Sequence, residues 1–259
     1  MNITQIYRKL PAGFRNKVYK LFLGDLLGII RGYSTKEIIT LQDIRKYLTI
    51  NNPIILEAGA CDGSDTVKFA KLFPNATIYA FEPVSANYEI LSRKVKKYPN
   101  IKTFKVALSD TNGECEINIS SWKNSTTTTA DASSLLSPKE HKNVWPEVIF
   151  NNKEIVQTKT LDSWAEQAKI DHIDVMWLDM QGMEPIVLQA SEKIIKTVKI
   201  IYTEVCFVEL YKGQILYEEY KNWLNSIGFE VAKDDFLDKE NLVANNVLFI
   251  RKQPWKENH

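Results

Sequence analysis

From Pro53 onward, short apolar runs of strand length alternate with stretches of helical periodicity, and this alternation restricts the chain more than any other feature. Residues 54–56 precede a helix near 65–72 that Pro74 stops, and residues 77–81 precede a helix over 85–97 closed by Tyr98-Pro99. Further strands are predicted at 101–107, 173–178 and 199–205, with helices between them. Such an order predicts an α/β fold: a mostly parallel sheet with right-handed crossovers, helices on both faces, and ligands at the carboxyl ends of the strands. The last part departs from it. After a helix over 217–227 capped by Gly228, strands at 229–232 and 246–251 are separated only by a polar loop, which permits an antiparallel pair.

Composition excludes whole classes. Among 259 residues, 44% are hydrophobic and 25% charged, an ordinary globular balance. The net charge is +1, and only six of the 33 cations are Arg, so no field or guanidinium-rich surface points to nucleic acid. That total averages two unlike parts. Residues 1–50 hold nine Lys/Arg against three Asp/Glu, and the rest is net acidic. In the basic part Phe14, Val18, Phe22, Leu26 and Ile30 form one apolar stripe, and a second helix is predicted over 36–48. This N-terminal helical extension, 1–50, is expected either to pack on the main domain or on a second copy as a homodimer, or to lie on a membrane surface. Cys61, Cys115 and Cys206 match neither a disulfide framework nor a CxxC pair, and no signal or membrane-spanning stretch is evident, so a cytoplasmic protein is expected.

Chemistry concentrates at strand ends. Glu57-Ala-Gly59-Ala60-Cys61-Asp62-Gly63 lies between an apolar strand and a helix; Gly59 permits a tight turn close to a ligand, and Gly63 opens the next helix. The dinucleotide pattern G-x-G-x-x-G is broken, because counting from Gly59 its later glycine places hold Cys61 and Ser64. A ligand without phosphates, such as S-adenosylmethionine, makes no such demand. Glu82 ends the second strand, where a carboxylate accepts hydrogen bonds from ribose hydroxyls. Asp179 ends the fourth strand, as a base or as a structural acceptor. Glu184 lies in the first turn of the following helix, with or without a chemical role, and Glu204 stands in an apolar run, at a site or in a salt bridge. Residues 120–153 show little periodicity and are rich in Ser and Thr, as a substrate lid or an inert insert. His141 within them is either a base or a solvated loop residue.

Taken together, Glu57-Ala-Gly-Ala-Cys-Asp-Gly-Ser-Asp-Thr66, Tyr79-Ala-Phe-Glu82-Pro83, Ala107-Leu-Ser-Asp110, Leu161-Asp162, Leu178-Asp-Met-Gln-Gly182-Met-Glu184, Tyr202-Thr-Glu204 followed by Leu210-Tyr211, and Asn246-Val-Leu-Phe249 resemble the FkbM-type S-adenosylmethionine-dependent methyltransferases. The resemblance covers about residues 50–252. It implies a class I methyltransferase fold, a Rossmann-like, seven-stranded, mostly parallel sheet closing on an antiparallel hairpin, with the catalytic domain at 51–259. It also implies a cofactor site with Glu57, Gly59, Ala60, Asp62, Gly63 and Thr66 around the first turn, Glu82 and Pro83 at the ribose, Ala107 and Leu108 near the adenine, and Asp179 nearby. Family members typically methylate hydroxyls of sugars, polysaccharides or related natural products, leaving S-adenosylhomocysteine. Where a lysine often stands two places before the strand-end aspartate, this chain has Trp177, which suggests a more apolar wall.

The expected function is therefore O-methylation of a small-molecule or glycan acceptor, with no nucleic acid partner. Asp179 is expected to act as base or orienting acceptor, helped by Glu204 and Glu184, with His141 as an outside candidate; no metal-ligand pattern is present. The competing readings are an NAD-linked oxidoreductase on a Rossmann sheet and a non-catalytic module that keeps the cofactor pocket.

Overall fold

The structure is a computed structural model that describes residues 39–123, 130–236 and 242–252; the predicted N-terminal stripe lies outside the described residues. Of the second predicted helix, Leu41–Tyr47 is seen as α1. Its start is set by a capping box, in which the Asp43 carboxylate accepts from Thr40 N (2.9 Å) while Thr40 caps the first turn. The same carboxylate takes Lys233 Nζ at 3.0 Å, which ties α1 to the last part of the chain. Burial opposes ionisation of Asp43, but its bonds from Lys46, Thr40 and Lys233 prevail and hold it well below the usual carboxylate range.

The alternation then unfolds as predicted: β1 (Ile54–Ala58), α2 (Ser64–Leu72), β2 (Thr77–Phe81), α3 (Ser85–Val95) and β3 (Ile101–Phe104). Later come β7 (Val175–Leu178), α6 (Glu184–Gln189), β8 (Ile200–Cys206), α7 (Tyr217–Ser226), β9 (Phe229–Asp234) and β10 (Ala244–Arg251). These seven strands form one sheet in the order β3-β2-β1-β7-β8-β10-β9. Its first five strands are parallel and β10 is antiparallel to both neighbours, so the sheet closes on the predicted hairpin. The order reverses between β1 and β7, which leaves a crevice beyond their carboxyl ends.

Both faces of the sheet are buried, as the continuous apolar runs require. Leu56, Ala58, Met176, Leu178 and Ile201 face one core layer with Trp164, Val187 and Leu224. Ile55, Val175, Trp177, Ile200 and Tyr202 face the other, with Ile44 and Phe69. Trp177 stacks on Tyr202 at 3.5 Å and meets Phe69 edge-on, so it packs beneath α2. The apolar wall expected of it near the site is instead core packing on the opposite face.

A second sheet was not legible in the sequence. The predicted strand 101–107 divides into β3 and a two-residue β4 (Ala107–Leu108), and β4 joins β5 (Gly113–Trp122) and β6 (Val148–Lys159) in the order β4-β6-β5. The segment 120–153 is thus not one loop: its ends are strands, and the short helix α4 (His141–Val144) lies between them. Strands β5 and β6 alternate charged with small or apolar residues and bury few of them, which weakens the periodic signal. The helix α5 (Leu161–Ala168) leads back to the main sheet, and Asp162 in it accepts from Lys193 N (2.9 Å) and Ile194 N (2.8 Å), a structural duty for the Leu161-Asp162 pair. Among the described residues no helix is long and apolar enough to cross a membrane.

Candidate active site

A cleft opens at the carboxyl ends of β1, β2 and β7 and is roofed by residues 130–135 of the second sheet's connection. At its base β1 turns sharply at Gly59 (φ +84°), where a Cβ would sit 1.7 Å from the Asp179 carbonyl oxygen. Only glycine lets the ends of β1 and β7 approach so closely. The next turn residue that lines the cleft, Cys61, holds φ +47° without being glycine. It is held there by Glu82, whose Oε2 accepts from Cys61 N and whose Oε1 accepts from Val84 N, both at 2.8 Å. The Asn87 side chain also hydrogen-bonds this carboxylate. Burial pushes the Glu82 carboxyl up to about 7 against those bonds, and the nearby Asp179 adds to the rise.

Of the residues assigned to the cofactor, the cleft is lined by Gly59, Glu82, Pro83, Ala107, Leu108 and Asp179. Glu57, Ala60, Asp62, Gly63 and Thr66 do not line it. Ala60 is buried against Leu91, and Gly63 is the left-handed N-cap of α2. The carboxylate of Asp62 accepts from Ser64 N (2.9 Å) and from Lys94 Nζ, which closes the turn from outside. Glu57 at the end of β1 is buried beneath α2, and Thr66, a residue of that helix, is buried beside its carboxyl. Burial drives the Glu57 carboxyl up to about 8, and the acids Asp65, Glu82 and Asp62 add to it. The folded chain therefore binds this proton more tightly than the unfolded chain does. Stability is lost as pH rises from the unfolded value near 4.5 to about 8. Glu57→Gln, which mimics the protonated form, is expected to raise unliganded stability at pH 8 by on the order of 2 kcal/mol and to do little at pH 4.5. Urea titrations at both pH values check this; equal effects at the two would remove the assignment.

The candidate catalytic groups separate. Asp179 stands on the cleft floor, exposed to solvent through the cleft mouth. Partial desolvation pushes its carboxyl up to about 6, with Asp65 and Asp131 adding repulsion. Glu184 is turned away into its own loop: Oε1 accepts from Met180 N (2.5 Å) and Oε2 from Gly182 N (3.0 Å). It shapes the turn that carries Asp179. Burial also raises the Glu184 carboxyl, to about 7. Glu204, on β8 opposite Asn246 of β10, does not line the cleft, and burial together with Asp179, Glu184 and Asp235 pushes it well up. His141 is not a solvated loop residue: it begins α4. It is buried against Trp145, Phe150 and Tyr211 with ring centroids 4.6, 5.1 and 5.3 Å away, and burial lowers its pKa to about 4. The ring is outside the cleft lining.

Several lining residues escaped the sequence reading. Asn87 of α3 accepts from Ala130 N at 3.0 Å and so pins the roof to the main domain. Asp131 accepts from Trp122 Nε1 at 3.1 Å and faces the cleft. Gln181, with φ +54°, hydrogen-bonds Asp179. The Ser134 hydroxyl donates to the Gln181 carbonyl at 2.8 Å and latches the roof to that turn. Only the lone Asn87, two residues into a helix, carried a local signal; the others depend on contacts between distant segments. Among the described residues no three His, Cys, Asp or Glu side chains are grouped to hold a metal ion.

The comparisons with known proteins agree with this architecture. The family described as Methyltransferase FkbM domain matches residues 57–231. The chain is 32% identical over 164 residues to the 2-O-methyltransferase NoeI of Sinorhizobium fredii (strain NBRC 101917 / NGR234), covering 63% of this chain and 68% of that protein. Among solved structures, the methyltransferase FkbM of Methylobacillus flagellatus KT matches with a TM-score of 0.50 at 11% identity, over 79% of this chain and 45% of that one, a likeness of fold. A fibrillarin pre-rRNA processing protein of Methanococcus jannaschii matches with a TM-score of 0.46 at 12% identity, over 79% of this chain and 68% of that one. A match over most of the catalytic sheet, joined to a relative at this identity, places the chain in the FkbM methyltransferase family.

Proposed function

We propose that this chain is an S-adenosylmethionine-dependent O-methyltransferase acting on a hydroxyl of a sugar, polysaccharide or related natural product. One observation carries the choice of cofactor: among the described residues the cleft is lined by three carboxylates, Glu82, Asp131 and Asp179, and by no Lys, Arg or His. Such a field attracts a cationic sulfonium and repels a pyrophosphate, so it argues against NAD as strongly as the broken glycine pattern does. The residues present fit the group. The Glu82 carboxylate, which lines the cleft, suits ribose hydroxyls, the apolar side of Phe81, Val106 and Leu108 suits a planar base, and the Gly59 turn leaves room for the methionine part.

The cofactor supplies a methyl group already activated as a sulfonium. What the chain must add is alignment of an acceptor oxygen and acceptance of its proton. Asp179 is the cleft carboxylate placed to take that proton. Its raised pKa of about 6 makes it a better base than an ordinary aspartate while keeping it ionised at neutral pH. The roof at 130–135 supplies the acceptor side with Asp131, a carboxylate able to orient a second hydroxyl. The relative whose name specifies 2-O-methylation supports oxygen as the atom methylated. Of the basic extension 1–50, α1 packs on the main domain, and contact with a second copy or a membrane surface is proposed for the part before it.

Thermal shift assays with S-adenosylhomocysteine and with NAD test the cofactor. Stabilisation by S-adenosylhomocysteine alone is expected, and stabilisation by NAD alone would sink the reading. Glu82→Gln is expected to weaken S-adenosylhomocysteine binding by roughly 10- to 100-fold, the loss of one or two charge-assisted hydrogen bonds. Ribose hydroxyls donate to the ionised form, so wild-type affinity is expected to be full above about pH 7 and to fall below it. Binding with no turnover across a panel of oligosaccharides, polyols and polyketides would favour the non-catalytic module.

A further inference from the structure

Asp179 is in an unusual position for a group that must stay ionised. Glu82 beyond β2, Asp65 of α2, Asp131 of the roof, Glu184 of α6, Glu204 and Cys206 of β8 and the Tyr211 hydroxyl all raise its charge cost or have theirs raised by it. No cation pairs with it among the described residues. One side-chain donor reaches it: Gln181 Nε2, 2.7 Å from Asp179 Oδ1.

Gln181 is itself held under strain. Its φ of +54° lies in the left-handed region, which glycine or asparagine adopts more cheaply. The strain is over-determined by its surroundings: Ser134 Oγ donates to its carbonyl, Glu184 accepts from the N–H groups on both sides, and the amide oxygen accepts from Tyr211. The Tyr211 side chain is fully buried, and its hydroxyl shares one proton between Gln181 Oε1 (2.9 Å) and the Ala132 carbonyl (2.8 Å). A hydroxyl that donates to Oε1 fixes the amide so that Nε2 faces the carboxylate. Asparagine would suit the backbone better but is one methylene shorter, too short to bridge Tyr211 and Asp179 from the same turn. Strain retained for a side chain with this reach points to function.

We propose that Gln181 is the positioning residue of this site: it bridges the buried Tyr211 hydroxyl to the Asp179 carboxylate, fixing where that carboxylate points and favouring its ionised form. Because the Ala132 carbonyl and Ser134 belong to the roof, the same bridge couples roof placement to the base. The inference rests on reading Asp179 as the proton acceptor.

The test uses the full chain with aspartate labelled with ¹³C at the side-chain carboxyl, Asp179→Asn identifying the Asp179 signal. In the wild type the signal is expected to titrate with a midpoint near 6. In Gln181→Ala the midpoint is expected to rise by about one pH unit, since a donor to the charged form is lost. Tyr211→Phe is expected to raise it by less. The decisive variant is Gln181→Asn: it is expected to melt at or above the wild-type temperature, because the backbone strain is relieved, yet to show the same raised midpoint as alanine. A merely structural role would move the melting temperature and leave the midpoint. An unchanged midpoint in folded Gln181→Asn overturns the proposal, whether or not the alanine variant folds. Calorimetry with S-adenosylhomocysteine on the same proteins keeps the two readings apart: absence of binding to wild type would count against the cofactor assignment while the titration still decides the bridge.

Discussion

Asp179→Asn is expected to lower methyl transfer to a responsive saccharide acceptor by roughly 10²- to 10⁴-fold, the range that a positioned general base contributes. The substitution keeps the side-chain shape and still accepts from Gln181, so the turn is expected to survive. Binding of neutral S-adenosylhomocysteine is expected to change by less than about threefold, whereas cationic S-adenosylmethionine loses an anion from its surroundings and is expected to bind more weakly. The pH profile carries the sign. In the wild type at saturating cofactor, kcat/KM for the acceptor is expected to rise with a midpoint near pH 6, as Asp179 ionises, and the asparagine variant is expected to lack that limb. Radiolabelled methyl transfer, with calorimetry for the two ligands, measures all of these. Retention of more than a tenth of wild-type activity would assign Asp179 to capping or orientation alone.

Gly59→Ala is expected to be the most damaging single substitution for the fold. An alanine there has its Cβ 1.7 Å from the Asp179 carbonyl oxygen, which is backbone and cannot rotate aside. Strands β1 and β7 must separate at the point where β1 hands the chain to the cofactor turn. The left-handed φ adds about 1–2 kcal/mol, and the displacement brings the total to at least about 4 kcal/mol. Gly213→Ala is the control: φ is nearly the same, +81°, but nothing lies within 4 Å of the added carbon. Only the conformational cost, about 1–2 kcal/mol, is expected there. Denaturant unfolding of the two variants separates backbone conformation from steric contact. Similar losses at both positions would mean that the close approach of β1 to β7 is not what requires glycine.

How legible the site was depends on how local its signals are. Gly59 and Glu82 were readable because each depends on its place at the end of a strand, and strand ends could be seen in the apolar runs. Glu184 was placed correctly in the first turn of its helix, but a sequence cannot show which way a carboxylate turns; here two backbone N–H groups of its own loop claim it. His141 failed for a different reason. Residues 120–153 looked like a solvated loop, whereas Phe150 of β6 and Tyr211, some seventy residues on from the histidine, close an aromatic cluster around it. Trp177 stands where the resembled family often has a lysine, which suggests an apolar wall of the site. Alternation along β7 and its stacking on Tyr202 put it on the face beneath α2.

By itself the sequence determined the alternation of strands and helices, the closing antiparallel pair, and the glycine turn and acids at the strand ends. These follow from period, turn chemistry and chain reach, all of which act over a few residues. Only the tertiary structure decided the second sheet, the roof drawn from it, and the bridge from Tyr211 through Gln181 to Asp179. The reason is physical: a hydrogen bond between side chains thirty residues apart leaves no periodic trace. The cost of burying a carboxylate, likewise, is set by what surrounds it and not by its neighbours in the chain.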